Sequence, residues 1–152
     1  MKNFEHILVP TDFAAASSEA VELALALASK FDAQVTLLHT WEIPAYPYVE
    51  YIASSFNLAD SMEKAATGAL AAAFKDLQAR LPRAKSVLKM GLPWQEIVVA
   101  VQDLKVDLVV MGTHGRRGFN HLIMGSVAEK VVRLCPVPVL TVRSASSTPS
   151  EA

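Results

Sequence analysis

The chain has 152 residues, 52% of them apolar, and a formal net charge of −1. That is about one domain's worth of sequence, and the near-neutral balance gives no electrostatic reason to expect nucleic acid as a partner. No apolar run approaches the ~18 residues of a membrane span, so no membrane association is expected. A single cysteine, Cys135, excludes an internal disulfide framework and fits a reducing cytoplasm. The opening MKNFEHILVPTD has no signal-peptide pattern, because its apolar stretch is short and leads into a strand.

Taken in order, Phe4 to Val9 reads as a first strand ended by Pro10, and Thr11-Asp12-Phe13 as a turn. A helix follows from Ala15 to Phe31, with Ala20, Ala24, Leu27 and Phe31 beside Val21, Leu25 and Ala28 on one broad apolar face. Val35 to His39 is a second strand. Trp41 to Asn57 is irregular and aromatic, longer than an ordinary strand-to-helix loop, and suits either a surface loop or a lid. An alanine-rich helix spans Ala59 to Leu81, and Ser86 to Met90 is a third strand. Gly91-Leu92-Pro93 opens a helix over Trp94 to Leu104, with proline in the first turn where a missing N–H costs nothing. Asp107 to Met111 is a fourth strand, Ser126 to Leu134 a last helix and Pro138 to Val142 a fifth strand. The polar segment from Ser144 to Ala152 reads as a disordered tail behind one domain over residues 1–143. Strands alternating with helices predict an α/β fold: an open, twisted parallel sheet of five strands with helices on both faces.

The chemistry is concentrated between the fourth strand and the last helix. Met111-Gly112 ends an apolar run, Gly115 and Gly118 follow, and Gly125-Ser126 opens a helical stretch. A strand, a glycine-rich loop and a helix start can hold an anion, since backbone N–H groups point outward and the helix dipole favours negative charge. The same glycines also fit an ordinary turn. The spacing is neither the dinucleotide fingerprint nor a P-loop, which would need a lysine. Ser126 has a competing use as the first residue of a capping box with Glu129, leaving backbone N–H groups to meet a ligand. His39, His114 and His121 lack ligand spacing and partner cysteines, so no direct metal site is expected.

Gly112-x-x-Gly115, nine further residues and then Gly125-Ser126 resemble the nucleotide-binding signature G-x2-G-x9-G-[ST] of the universal stress protein family. The resemblance extends through ILVPTDF, Gly91 to Pro93, DLVVMGTHG, GSVAEKVVR and CPVPVLTVR, nearly the whole chain. It implies a Rossmann-like fold of the adenine nucleotide alpha hydrolase type, strand order 3-2-1-4-5, and ATP as the ligand, with Mg2+ or Mn2+ alongside. It assigns Pro10, Thr11, Asp12, Thr40, Met111, Gly112, Gly115, Arg116, Gly125, Ser126 and Val127 to the nucleotide site. Asp12 would take ribose hydroxyls or hold an ion through water, its alternative being a turn or cap residue. Thr40 would lie against the base. Read from the residues alone, Arg116 and Arg117 are by default solvated loop charges, though beside a phosphate cradle they could neutralise a triphosphate. Where relatives often carry serine after the Phe13 position, this chain has Ala14. The resemblance further implies a homodimer paired through the fifth strand, Pro138 to Val142, and a role as a stress sensor or switch. No nucleophile is paired with an oriented base, so at most weak hydrolysis is expected. A slow ATPase or autophosphorylating enzyme, and a nucleotide-independent scaffold, stay open as alternatives.

Overall fold

The computed structural model describes residues 3–44, 55–114 and 124–144. They form β1 (His6–Pro10), α1 (Ala15–Phe31), β2 (Gln34–Trp41), α2 (Ser55–Arg80), β3 (Lys85–Met90), α3 (Pro93–Asp103), β4 (Leu108–Gly112), α4 (Ser126–Leu134) and β5 (Val139–Val142). The five strands make one sheet in the order β3-β2-β1-β4-β5, and every pairing is parallel. The expected class and strand order are therefore observed.

The strands are apolar at nearly every central position because both faces are covered. Successive side chains point to opposite faces, and each face has its own core. On one side Ile7, Val9, Val35, Leu37, Leu108 and Val110 meet α1 and α2. On the other, Leu8, Leu38, Val109 and Met111 meet Ile97, Ala100 and Val101 of α3 and Ala128 and Val131 of α4. Each buried Val, Leu or Ile contributes about 1.5–3 kcal/mol relative to exposure. These central strands are the main source of stability.

Helix α1 lies against β1 and β4 through Ala16, Ala20, Ala24 and Ala28, all fully or nearly fully buried. This every-fourth-residue line of alanines lets the helix axis approach the sheet closely. The larger Val21, Leu25, Leu27 and Phe31, expected to share the buried face, flank that line and are only partly buried. The helix ends at Asp32, which takes a left-handed conformation (φ 57) and returns its N–H to the carbonyl of Ala28.

Several boundaries differ from those expected. Strand β2 runs on to Trp41, because its last residues continue to pair with Lys89 and Met90 of β3. Helix α2 begins at Ser55, inside the segment expected to be irregular. Strand β1 starts at His6 rather than Phe4 and includes Pro10. Pro10 is tolerated there because it is the strand's last residue, where a missing N–H removes least from the ladder. The remainder of the suggested lid segment, residues 45–54, and the tail from 145 onward lie outside the described residues.

Candidate functional site

In a parallel sheet the crossovers diverge where the strand order reverses, leaving a crevice beyond the carboxyl ends of the strands. Here that point lies between β1, whose connection leads to β2, and β4, whose connection leads to β5. A cleft of about 350 Å³ opens there, within the size range of small-ligand sites. Pro10, Thr11 and Asp12 line it from the end of β1, and Leu38, His39 and Thr40 from β2. Met111 to His114 contribute from β4, Pro93 and Ile97 from α3, and Gly125 to Ala128 from α4. Nine of the expected site residues are thus brought to one place: Pro10, Thr11, Asp12, Thr40, Met111, Gly112, Gly125, Ser126 and Val127. Gly115 and Arg116, with Arg117, fall outside the described residues.

The β1–α1 turn is built around two side chains. Thr11 Oγ1 accepts the Phe13 N–H at 3.0 Å, and Asp12 Oδ1 accepts the Ala14 N–H at 3.0 Å. The same Oδ1 accepts the Ser17 hydroxyl at 2.8 Å. Asp12 therefore holds the turn, and it also lines the cleft. Ala14 is the helix N-cap with no side-chain bond of its own. Asp12 supplies the capping oxygen from two residues upstream. Phe13 takes a left-handed backbone (φ 65), which costs a residue bearing a Cβ about 1–2 kcal/mol.

At the other wall the capping box does not form. Gly125 is the N-cap of α4 and Ser126 its first residue, and no side-chain hydrogen bond caps this helix. Gly125 N–H bonds the carbonyl of Thr113 at 2.7 Å, tying the helix start to the end of β4. The first intrahelical bond runs from Glu129 N–H to Gly125 C=O at 2.9 Å. The N–H groups of Ser126 and Val127 precede it and have no acceptor within the helix. Two donors and the positive end of the α4 dipole thus stand at the cleft.

Two of the described glycines line the cleft. Gly125 has φ −59, an ordinary value, so no left-handed backbone is required of it. At Gly112 the missing side chain leaves room for Ala16 and Ser17 of α1, which a Cβ would meet within 3.1 Å. That glycine serves helix-on-strand packing. Asp12 is the one carboxylate among the described cleft residues, and no lysine or arginine joins it there.

Thr113 is a residue that sequence reasoning missed. It is 6% exposed, gives its N–H to Val142 C=O at 2.9 Å, and accepts from Gly125. It thereby joins β4, β5 and α4 beneath the cleft. His114, the third position of the glycine turn, bonds Thr113 Oγ1 through Nδ1 at 2.9 Å. Ser17 and His39 also escaped, since nothing in their local sequence sets them apart from neighbouring core residues. Among the described residues no cluster of three or more His, Cys, Asp or Glu could hold a metal, and no helix is long and apolar enough to cross a membrane.

The universal stress protein family model matches residues 3–143. The chain belongs to the universal stress protein family. A universal stress protein of Methanocaldococcus jannaschii is 29% identical over 140 residues, covering 92% of this chain and 82% of the relative. The fold is similar to that of universal stress protein UspA from Lactobacillus plantarum, with TM-score 0.79, 26% identity, and coverage of 94% of this chain and 100% of that one. A family protein from Arabidopsis thaliana, solved with AMP bound, gives TM-score 0.66 at 23% identity, each chain covered to 97%. A universal stress protein in complex with cAMP gives TM-score 0.61 at 21% identity, covering 95% of this chain and 100% of that one.

Proposed function

We propose that the protein binds ATP in the cleft between β1 and β4 and acts as a nucleotide-dependent stress sensor or switch. The observation that carries this reading is the convergence of the Ser126 and Val127 N–H groups with Asp12 across one crevice. The donors and the helix dipole suit phosphate, and the carboxylate suits ribose hydroxyls or the water shell of a Mg2+ or Mn2+ ion. Thr40, Leu38 and Ile97 offer an apolar wall for the base. The family motif adds Gly115 to the proposed site, and Arg116 follows it in sequence. The AMP and cAMP carried by two proteins of this fold support an adenine nucleotide as the ligand class.

The described cleft residues include no lysine of the kind that meets a γ-phosphate in a P-loop. Slow turnover at most is therefore the reading for catalysis. The protein is also proposed to pair with a second copy through the outer edge of β5. The test of function is to heat the freshly purified protein and chromatograph what it releases. Recovered ATP supports the sensor reading, ADP points to a slow hydrolase, and no nucleotide at all favours a scaffold.

A further inference from the structure

His39 stands next to the end of β2 and faces the turn that carries Asp12 from across the β1–β2 pairing. Its Nδ1 lies 2.8 Å from the carbonyl oxygen of Thr11. A carbonyl only accepts, so Nδ1 carries the proton and donates. The ring also lies against that of Phe13, with centroids 4.4 Å apart and planes tilted by 47°. Immediately upstream, the Leu38 carbonyl accepts the Thr11 N–H at 2.8 Å. The end of β2 therefore grips Thr11 at its N–H and at its C=O, and supports the side chain two residues on.

What is gripped is strained. Phe13 has φ 65, a conformation that a side chain with a Cβ rarely adopts and that persists only where surrounding contacts fix it. The Phe13 N–H to Thr11 Oγ1 and Ala14 N–H to Asp12 Oδ1 bonds are local to the turn and move with it. The Ser17 hydroxyl, from the first turn of α1, anchors the Asp12 carboxylate at 2.8 Å. Phe13 also packs against the buried core, and from β2 the His39 side chain hydrogen-bonds the turn directly.

We propose that His39 is a positioning residue, holding the Thr11–Ala14 turn through the Thr11 carbonyl and the Phe13 ring so that the Asp12 carboxylate is fixed at the cleft. The inference rests on the nucleotide-binding reading given above. It assigns a task to a histidine that lines the cleft yet needs no contact with the ligand. Asparagine can place an amide N–H close to where Nδ1 stands, whereas glutamine reaches the position of Nε2 and misses the carbonyl.

The experiment is calorimetric titration of ATP into the full chain as parent, His39→Phe, His39→Asn, His39→Gln, Asp12→Ala and the His39→Phe/Asp12→Ala pair. His39→Phe keeps an aromatic ring beside Phe13 and removes the donor, and affinity should fall about tenfold. His39→Asn should recover most of that loss and His39→Gln should not. Because His39 acts through Asp12, adding His39→Phe to Asp12→Ala should cost nothing further. Parent-like affinity in both His39→Phe and His39→Gln, or an unchanged tenfold loss in the Asp12→Ala background, overturns the proposal. A parent that takes up no ATP overturns the nucleotide reading instead. The positioning role is then decided on ligand-free protein, where His39→Phe should displace the amide resonances of Asp12 to Ala14 and His39→Asn should not; unmoved resonances in His39→Phe overturn it.

Discussion

The Cβ that Gly112 lacks would lie 2.7 Å from the Cβ of Ala16 and 2.9 Å from that residue's carbonyl carbon. Real Cβ atoms do not come that near to backbone, so the end of β4 and the first turn of α1 meet at a distance only glycine admits. Both elements carry cleft residues, and this contact sets the width between the Asp12 turn and the β4 end. Gly112→Ala should therefore overpack the site, costing about 1–3 kcal/mol of stability and lowering the melting temperature. Gly68→Ala is the matched control: its Cβ would meet nothing within 4 Å, on an exposed face of α2. There the change should stabilise by about 0.5–1 kcal/mol through helix propensity. Thermal melts of the two variants side by side check both signs.

Asp12 separates capping from ligand binding when it is changed in two ways. Asp12→Ala removes the acceptor for the Ala14 N–H and the Ser17 hydroxyl, and should cost about 1–2 kcal/mol of stability. Asp12→Asn keeps Oδ1 as an acceptor for those two donors while it removes the charge and turns the other oxygen into an NH2 donor, so its melting temperature should fall less than that of Asp12→Ala. If the carboxylate also serves the nucleotide, both variants should weaken ATP binding, by about 1–3 kcal/mol for alanine. Affinity unchanged in both confines Asp12 to the turn.

At the opposite end of the sheet, His6 predicts the pH response of stability. Its Nδ1 lies 3.0 Å from Leu104 C=O and its Nε2 2.7 Å from Thr36 Oγ1. Burial pushes its pKa below the ordinary histidine value, partly offset by the Leu104 carbonyl and by Asp107, while Lys85 adds to the lowering. In the unfolded chain His6 takes up its proton near pH 6.5, and in the folded protein at lower pH. Between those two values the unfolded state holds more protons, so stability falls as pH drops below about 6.5. Denaturant melts from pH 7.5 to 5 should show that decline, and His6→Gln should flatten it.

The edge strand offers a clean probe of self-association. Val139 packs inward against the core formed with α3 and α4, so charging it would damage the fold as well as any interface. Leu140 is 39% exposed on the same strand and is the better choice. β5 pairs with β4 alone among the described strands, leaving its outer N–H and C=O groups for a second copy. Light scattering behind size exclusion should give a dimer for the parent and a monomer for Leu140→Lys, each with a parent-like melt. A parent that is monomeric at micromolar concentration contradicts the pairing.

Local pattern was a good guide where a single element decides its own limits. Helix α1 and helix α4 run from Ala15 to Phe31 and from Ser126 to Leu134, as the apolar spacing and the flanking turn residues suggest. It was a poorer guide where a partner decides. Strand β2 is longer than its apolar run because β3 continues to pair with His39, Thr40 and Trp41. The capping box at Ser126 obeys its local rule and still does not form, because the Glu129 N–H that the Ser126 hydroxyl would accept bonds Gly125 C=O instead. Gly112, Gly125 and Ser126, which line the cleft, were picked out by their spacing. Thr113, Ser17 and His39 were not, since their roles are bonds to residues that only the fold brings near. Gly112 lines the cleft, and the fold adds a neighbour that its spacing did not show: the space it leaves is taken by Ala16.

The central claim is that ATP sits at the start of α4, and titration of ATP into parent and Gly125→Val measures it most directly. Gly125 has an ordinary φ of −59, so valine there leaves the backbone unstrained and acts by placing bulk beside the Ser126 and Val127 donors. The account predicts saturable binding of one ATP per chain in the parent and none in Gly125→Val, with both proteins folded. Binding of equal strength in the two proteins, or none in the parent at millimolar ATP, would contradict it.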